Sequence, residues 1–241
     1  MRLTGVRVSW GTSAFHSTPD AKQWYNDVFL PASTSVASGE VDPDLASTFR
    51  FVVGKEVGGD GIFVTAVFPD GPAMKAWEKF YDEKKNPILQ EGRKAGWLTG
   101  DFGYYLTAGK FFRGAKPGPP PPNKGGGIGL YDFELGIPFD AWQGAFTAPE
   151  ADKLHDKNGI INSVAGLTLG AGGTGIPKTG VSVWHVHKTA KQADLFCKKF
   201  IDHTEEPFAS IFADGVVKEG GFAKAYEIIG DTVFVDKLPK A

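Results

Sequence analysis

The chain is poor in the residues that build covalent or metal-held scaffolds. Its 241 residues include one cysteine, two methionines and five histidines. The single cysteine, Cys197, excludes an intrachain disulfide, and it cannot supply the thiolates of a structural zinc cluster. We therefore expect the fold to depend on its hydrophobic core.

Strong net charge and long apolar runs are also missing. The 26 basic and 28 acidic residues leave a formal charge of -2, so no basic footprint for nucleic acid or an anionic membrane is indicated. No apolar run approaches the length of about 18 residues that a transmembrane helix needs. The first residues turn polar at once, unlike a secretory signal. We expect a cytoplasmic protein that binds neither nucleic acid nor a membrane.

Glycine and proline, by contrast, are abundant, with 32 and 16 residues. Residues 113–127 read RGAKPGPPPPNKGGG. Four consecutive prolines lack the backbone N–H groups of a sheet or helix, and the glycines after them are flexible. The segment predicts a linker between domains 1–112 and 128–241. The alternative, a proline-rich ligand for an aromatic groove, has no indicated partner.

Two landmarks recur in the same order on either side of the linker. Residues 79–87 match residues 199–207 in register at a lysine, a phenylalanine, an aspartate and a proline, 120 positions apart. Earlier in each half a tryptophan, Trp24 or Trp142, precedes a proline by seven residues. The pattern predicts two copies of one fold.

Hydrophobic periodicity and turn signals give each half the same order of elements. The predicted strands are 3–10, 47–53, 62–68 and 102–112 in the first half, and 128–133, 161–169, 181–187 and 222–229 in the second. Helices are predicted to begin near Pro19 and Pro72, to cover 139–158, and to follow a capping Thr189 with Leu195, Phe196 and Phe200 on the helix. The order β-α-β-β-α-β is the ferredoxin-like motif.

In that motif the helices cover one face of the sheet, and an apolar second face needs a partner. The duplicated order resembles the dimeric α+β barrel superfamily in a tandem, single-chain form. That group includes EthD-like, antibiotic-biosynthesis monooxygenase-like and stress-responsive barrel proteins. The resemblance covers both halves but carries no subfamily motif. It implies an α+β fold in which two ferredoxin-like sheets pack face to face as a pseudo-dimeric barrel, in a monomer or a weak homo-oligomer.

Two histidines on one predicted strand are the leading catalytic candidates. His185 and His187 point the same way, about 7 Å apart, and we expect them in a cavity between or beside the sheets. The spacing suits acid/base chemistry near neutral pH or a metal pair, although two histidines leave a metal short of ligands. Asp132 on the neighbouring strand could orient His185, but a register error of one residue would reverse this. The alternative is a hydrogen-bonded core histidine beside a solvent-facing one.

Further polar and aromatic residues are predicted to surround a ligand. Tyr25 is a lesser catalytic candidate, and the predicted binding residues are His16, Trp24, Arg7, Arg50, Thr65, Asp132 and Trp184. Each also has a structural interpretation: an exposed loop histidine, core aromatics or surface ion pairs. Thr65 stands at the position of His185 in the first half, so the sequence predicts one functional pocket, in the second half.

The resemblance implies an enzyme, because related barrels include oxygenases, cyclases and lyases. We expect a cofactor-independent enzyme that acts on a small apolar or aromatic, polyketide-like molecule through histidine acid/base chemistry. One alternative is a non-catalytic small-molecule-binding or stress-responsive barrel. Another is a haem-binding barrel with a histidine as axial ligand. No cofactor or metal is predicted.

Overall fold

The computed structural model describes residues 7–8, 21–38, 50–59, 61–67, 94, 104–113, 126–172, 180–218 and 221–233. His16, the helix predicted near Pro72 and most of the linker lie outside these residues. Within them, the structure is a mixed α+β fold built on an antiparallel sheet. No helix in these ranges is long and apolar enough to cross a membrane.

The strands coincide with the predicted ones, with shifted ends. They are β1 (Arg7–Val8), β2 (Arg50–Glu56), β3 (Ile62–Val67), β4 (Tyr104–Arg113), β5 (Gly127–Phe133), β6 (Ile160–Gly172), β7 (Val181–His187) and β8 (Phe222–Val233). The strand β8 extends to Val233, four residues past its predicted end, and β6 extends to Gly172, three residues past its predicted end.

Five helical segments accompany the strands in the described residues. The first, α1, covers 21–37; it is α-helical over Ala21–Trp24 and Leu30–Ala37 and π-helical over Tyr25–Phe29. The others are α2 (Phe139–Phe146), α3 (Pro149–Lys157), α4 (Ala190–Asp202) and α5 (Phe208–Ala213). The single helix predicted over 139–158 is two helices, since Pro149 cannot continue the first one and begins the next. The short α5 was not predicted.

The helix α4 begins after the capping residue that the sequence predicts and carries the three apolar residues expected on it. The Thr189 hydroxyl accepts a hydrogen bond from the Gln192 backbone N–H, as an N-cap does. Phe196 and Phe200 are buried against the sheet, but Leu195 is 48% exposed. The 3.6-residue period that turns Phe196 inward turns its neighbour to solvent.

The strand order is β1-β4-β6-β7-β5-β8-β2-β3. Strands of the two sequence halves are hydrogen-bonded to each other at two places, β4 to β6 and β8 to β2. The two ends of the order, β1 and β3, lie against each other, so the sheet curves round on itself.

This curved sheet has an outer face covered by helices and an inner face turned away from them. The outer face of the second half packs with α2, α4 and α5 in one aromatic core that includes Val183, Phe196 and Phe200. The residues that alternate with these along each strand point to the inner face. Leu130 of β5 and Trp184 of β7, for example, are paired there. Because every residue of β7 is buried, both faces of this strand are packed.

Candidate functional site

A cavity of about 580 Å³ lies between the outer face of β5 and β7 and the helices α2 to α5. Its wall is mainly apolar and rich in aromatic side chains, among them Tyr131, Trp142, Phe146, Phe196, Phe200 and Phe208. Two imidazoles, His155 from α3 and His185 from β7, also line it, and both are nearly fully buried. The helices therefore roof a hydrophobic pocket whose sheet floor carries a titratable group.

His185 is held on several sides. Its Nδ1 lies 2.7 Å from the Ser163 hydroxyl oxygen of β6, the residue opposite it in the sheet register. Its ring stacks on Phe146, with centroids 5.7 Å apart and planes 9° apart, and meets Tyr131 edge-on at 5.2 Å. The imidazole therefore has a defined orientation at the cavity floor.

Three histidine rings form a chain from the cavity into the protein. The rings of His155 and His185 lie 5.2 Å apart, and those of His185 and His187 lie 6.1 Å apart. His187 Nδ1 donates to the backbone carbonyl of Asn158 at 3.0 Å. Burial, helped by nearby His155, lowers the pKa of His187 to about 4. The hydrogen bond to the Asn158 carbonyl opposes this shift without cancelling it. His187 is thus neutral at pH 7 and belongs to the core behind the cavity.

Tyr131 and Cys197 form a neutral pair beside the cavity wall. The Cys197 thiol donates to the Tyr131 hydroxyl oxygen at 3.3 Å. Burial raises the pKa of Cys197 to about 12 and raises the pKa of Tyr131 well above its usual value. Neither group is an anion at neutral pH, so neither is a ready nucleophile.

The face of β7 that carries both histidines is the face that meets the helices. His185 and His187 share it with Val183, which belongs to the helix-covered core. Only His185 lines the cavity; His187 lies behind it. The cavity lies beside the sheet, one of the two positions that the sequence prediction allowed.

Asp132 does not orient His185. The residue opposite His185 on β5 is Gly129, and Asp132 pairs with Ser182 on the inner face. The adjacent Trp184 also points to the inner face, where its buried Nε1 finds no hydrogen-bond partner among the described residues. Ligand binding by Asp132 and Trp184 would need a second site on that face and stays a prediction.

The structure describes the side chains of two first-half candidates, Trp24 and Tyr25. Trp24 and Tyr25 are buried in α1, where their rings pack with Phe29, and neither lines the cavity. Tyr25 lies instead over β8 at Gly230. The strands β1, β2 and β3 contain Arg7, Arg50 and Thr65, whose side chains are outside the described set.

His155 and Ser163 were missed by sequence reasoning. His155 follows Ala151 and Leu154 at positions that share one helix face, and all three line the cavity. This spacing was the one feature of the otherwise charged segment that could have identified His155 as a buried residue. Ser163 gave no signal of its own, because its importance comes from the pairing of β6 with β7.

The rim of the cavity is acidic. Glu150 and Glu206 lie on the lining, and the described lining includes no lysine or arginine. The described ranges also contain no cluster of three or more histidine, cysteine, aspartate or glutamate residues that could hold a metal ion. The site therefore combines an apolar volume, a pair of imidazoles and negative charge at its mouth.

No protein-family model and no curated protein matches the sequence. Solved structures do share its fold. An anthrone oxidase-like protein is 13% identical with a TM-score of 0.61, covering 98% of this chain and 96% of its own. A proposed monooxygenase from Lactobacillus acidophilus is 10% identical with a TM-score of 0.55, covering 96% and 97%.

A proposed monooxygenase from Fusobacterium nucleatum is 8% identical with a TM-score of 0.51, and the alignment covers both chains completely. The TM-scores and coverages establish a common fold, whereas sequence identities this low leave the chemistry open. The chain thus shares with these proteins a mixed α+β fold built on an antiparallel sheet.

Proposed function

We propose that the chain is an enzyme that binds a small, largely apolar aromatic molecule in this cavity and exchanges a proton with it through His155 and His185. The observation that carries the proposal is a pair of buried imidazoles, 5.2 Å apart, on the wall of an aromatic cavity of about 580 Å³. That volume falls within the range of about 300–1,000 Å³ typical of small-molecule sites. Aromatic walls favour a flat, uncharged ring system.

The imidazole pair has a specific chemical use in such surroundings. Two charged rings side by side in an apolar site repel each other, so the pair is expected to hold at most one added proton. One ring can then accept a proton from the ligand while its neighbour stays neutral. Removal of an acidic proton from a phenolic ligand gives an electron-rich anion, which molecular oxygen can oxidise. The names of the structural neighbours, an oxidase-like protein and monooxygenases, support oxygen as the second substrate.

Anthrone is a suitable probe, since it is flat, apolar and carries acidic C–H protons. Binding would be measured by the quenching of tryptophan fluorescence, to which Trp142 in the cavity wall contributes. Turnover would be measured by oxygen uptake. We expect His155→Gln and His185→Gln to lower kcat by about 10²- to 10⁴-fold while changing Kd much less. The matched control is His203→Asn, because His203 lies outside the cavity in a left-handed cap that asparagine tolerates.

The outcomes separate enzyme from binding protein. Saturable binding without oxygen uptake by the wild type would support the non-catalytic barrel for this ligand class. Equal turnover in the wild type and both histidine variants would refute the assigned acid/base role. Absence of binding for anthrone and for 1-naphthol would refute the aromatic-ligand assignment.

Haem fits this cavity poorly. The buried His155 or His185 could serve as an axial ligand by residue type. The two propionates of a haem, however, need basic or hydrogen-bonding partners, whereas the charged residues on the described rim are Glu150 and Glu206. We expect added haemin to give no saturable Soret shift that depends on either histidine.

We also infer that residues 1–112 and 128–241 are duplicated ferredoxin-like units that form one barrel. In the second half the order β8-β5-β7-β6 is that of a single β-α-β-β-α-β unit. In the first half β1 pairs with β4, β2 pairs with β3, and β1 touches β3. Internal pairing of both halves supports a monomer, and light scattering of the purified chain should give about 26 kDa. A fold that persists only as a dimer would contradict this.

A further inference from the structure

Ser163 is placed to influence which ring nitrogen of His185 carries the proton. This distinguishes it from a buried serine with a purely structural role. It stands opposite His185 in the β6–β7 register, and its hydroxyl oxygen lies 2.7 Å from Nδ1. Both side chains are buried, at 0% and 4% exposure. Since the sheet ladder fixes both backbones, this contact does not depend on a mobile loop.

The surrounding rings leave the imidazole little freedom to turn. Phe146 stacks on one side, while Tyr131 and Phe196 meet the ring edge-on at centroid distances of 5.2 and 5.6 Å. With Nδ1 engaged by Ser163, Nε2 is the atom through which His185 would exchange a proton with a molecule in the cavity. Whether Nε2 of the neutral ring carries a proton then depends on whether the Ser163 hydroxyl donates to Nδ1 or accepts from it.

His187, two residues along the strand, provides an internal contrast. Its Nδ1 faces the carbonyl oxygen of Asn158, which can only accept, so this ring keeps its proton on Nδ1. A serine hydroxyl can both donate and accept. Ser163 can therefore accept from Nδ1–H when Nε2 is a bare base, and can donate to Nδ1 when Nε2 carries the proton.

We propose that Ser163 is a positioning residue that holds His185 in orientation and stabilises both of its neutral tautomers, so that Nε2 can present either a lone pair or an N–H to a molecule in the cavity. When bare Nε2 accepts a proton from the ligand, the ring becomes an imidazolium whose Nδ1–H donates to Ser163, and return of that proton from Nε2 restores the starting tautomer. The catalytic half of this statement rests on the proposed function; the tautomer half does not. Other titratable groups around His185 are His155 and Glu150 of α3, Tyr131 of β5 and Glu206 before α5, which line the cavity, and His187, which lies behind it on the same strand.

The direct test is nitrogen NMR of the ¹⁵N-histidine-labelled protein without any ligand. We expect Ser163→Ala to move the two His185 ring nitrogen shifts toward those of a single tautomer and to leave the His187 shifts in place. Ser163→Thr, which keeps the hydroxyl, should restore the wild-type shifts. Ser182→Ala is the matched control, because Ser182 is a buried serine on the inner face of β7.

The kinetic test uses the same variants with anthrone. Ser163→Ala should lower kcat by about 10- to 100-fold, as loss of a histidine's orienting partner does, with KM within about twofold of the wild type. It should also displace the acidic limb of the pH profile, and Ser163→Thr should reverse both effects. If Ser163→Ala does not fold, Ser163→Cys, with its weak donor, should give intermediate shifts.

Unchanged His185 shifts in a folded Ser163→Ala protein would overturn the proposal. So would altered shifts that the hydroxyl-bearing threonine variant fails to restore. A wild-type protein that shows no turnover would overturn the proposed function alone, because the NMR comparison needs no substrate.

Discussion

Replacement of His187 should remove a defined part of the protein's sensitivity to acid. Its imidazole is 0% exposed, and burial lowers its pKa from 6.5 to about 4. The unfolded chain therefore binds this proton more tightly than the native protein, and stability rises with pH between about 4 and 6.5. A neutral buried histidine makes its full contribution above pH 6.5 and loses it as pH falls.

The size of the effect follows from the two pKa values. At pH 4.5 a shift from 6.5 to 4 corresponds to about 2.5 kcal/mol of lost stability relative to pH 7.5. This is a large fraction of the stability of a typical domain, which is about 5–15 kcal/mol.

Urea unfolding at pH 7.5, 6.0, 5.0 and 4.5 would measure it, with His187→Asn as the variant. The asparagine amide can still donate to the Asn158 carbonyl, yet it does not titrate. We expect the variant to be less stable at pH 7.5, because the smaller side chain leaves a cavity, and to lose less stability than the wild type on acidification. A constant difference between the two proteins from pH 7.5 to 4.5 would refute the assignment of His187 as a buried neutral base.

Three further perturbations test the packing around the site. Gly129→Ala should destabilise the protein by about 1–3 kcal/mol in urea unfolding, since a Cβ there would lie 2.6 Å from the buried Tyr131 hydroxyl oxygen. The control Gly144→Ala, on an open helix surface, should cause no loss of stability. Equal effects of the two substitutions would contradict this. Thr189→Ala should cost about 1 kcal/mol through its lost helix cap, and Thr189→Asn should largely preserve stability. Cys197 should resist a thiol reagent at pH 8 in the native protein and react once urea unfolds it; rapid native labelling would show that the thiol is accessible.

Much of the secondary structure could be predicted because local patterns determine it. The alternating, β-branched run 181–187 forms β7 with the predicted ends. The cap at Thr189 also lies where the sequence placed it. The ends of β2 and β6 moved by several residues, since strand ends depend on how far the neighbouring strand extends.

The direction of the histidines could not be predicted from β7 itself. Alternation indicates which residues share a face, but not which face meets the helices. A polar-out, apolar-in contrast normally decides this, and β7 has none, because all of its residues are buried. The same ambiguity applies to Asp132, which lies on the other face of the sheet from His185.

The pairing of His155 with His185 is a tertiary property. The two residues are thirty positions apart in the sequence, and their rings meet because α3 packs against β6, the neighbour of β7 in the sheet. Sequence periodicity can place His155 on the buried face of a helix, but it does not say which strand residue lies beneath. The proposed catalytic pair therefore cannot be recognised from the sequence alone.

The position of the cavity has a consequence for how a ligand would enter. Its floor belongs to the central strands β5 and β7, which are hydrogen-bonded on both sides and carry Tyr131 and His185. Its roof consists largely of the short helices α2, α3 and α5, of eight, nine and six residues, and α3 carries His155. Helices this short derive their stability mainly from packing. Opening of the roof is therefore less costly than opening of the sheet, and it would separate His155 from His185. A ligand that entered by displacing α3 would meet the complete histidine pair only after the roof had closed over it, so enclosure of the ligand and completion of the proposed acid/base site would coincide.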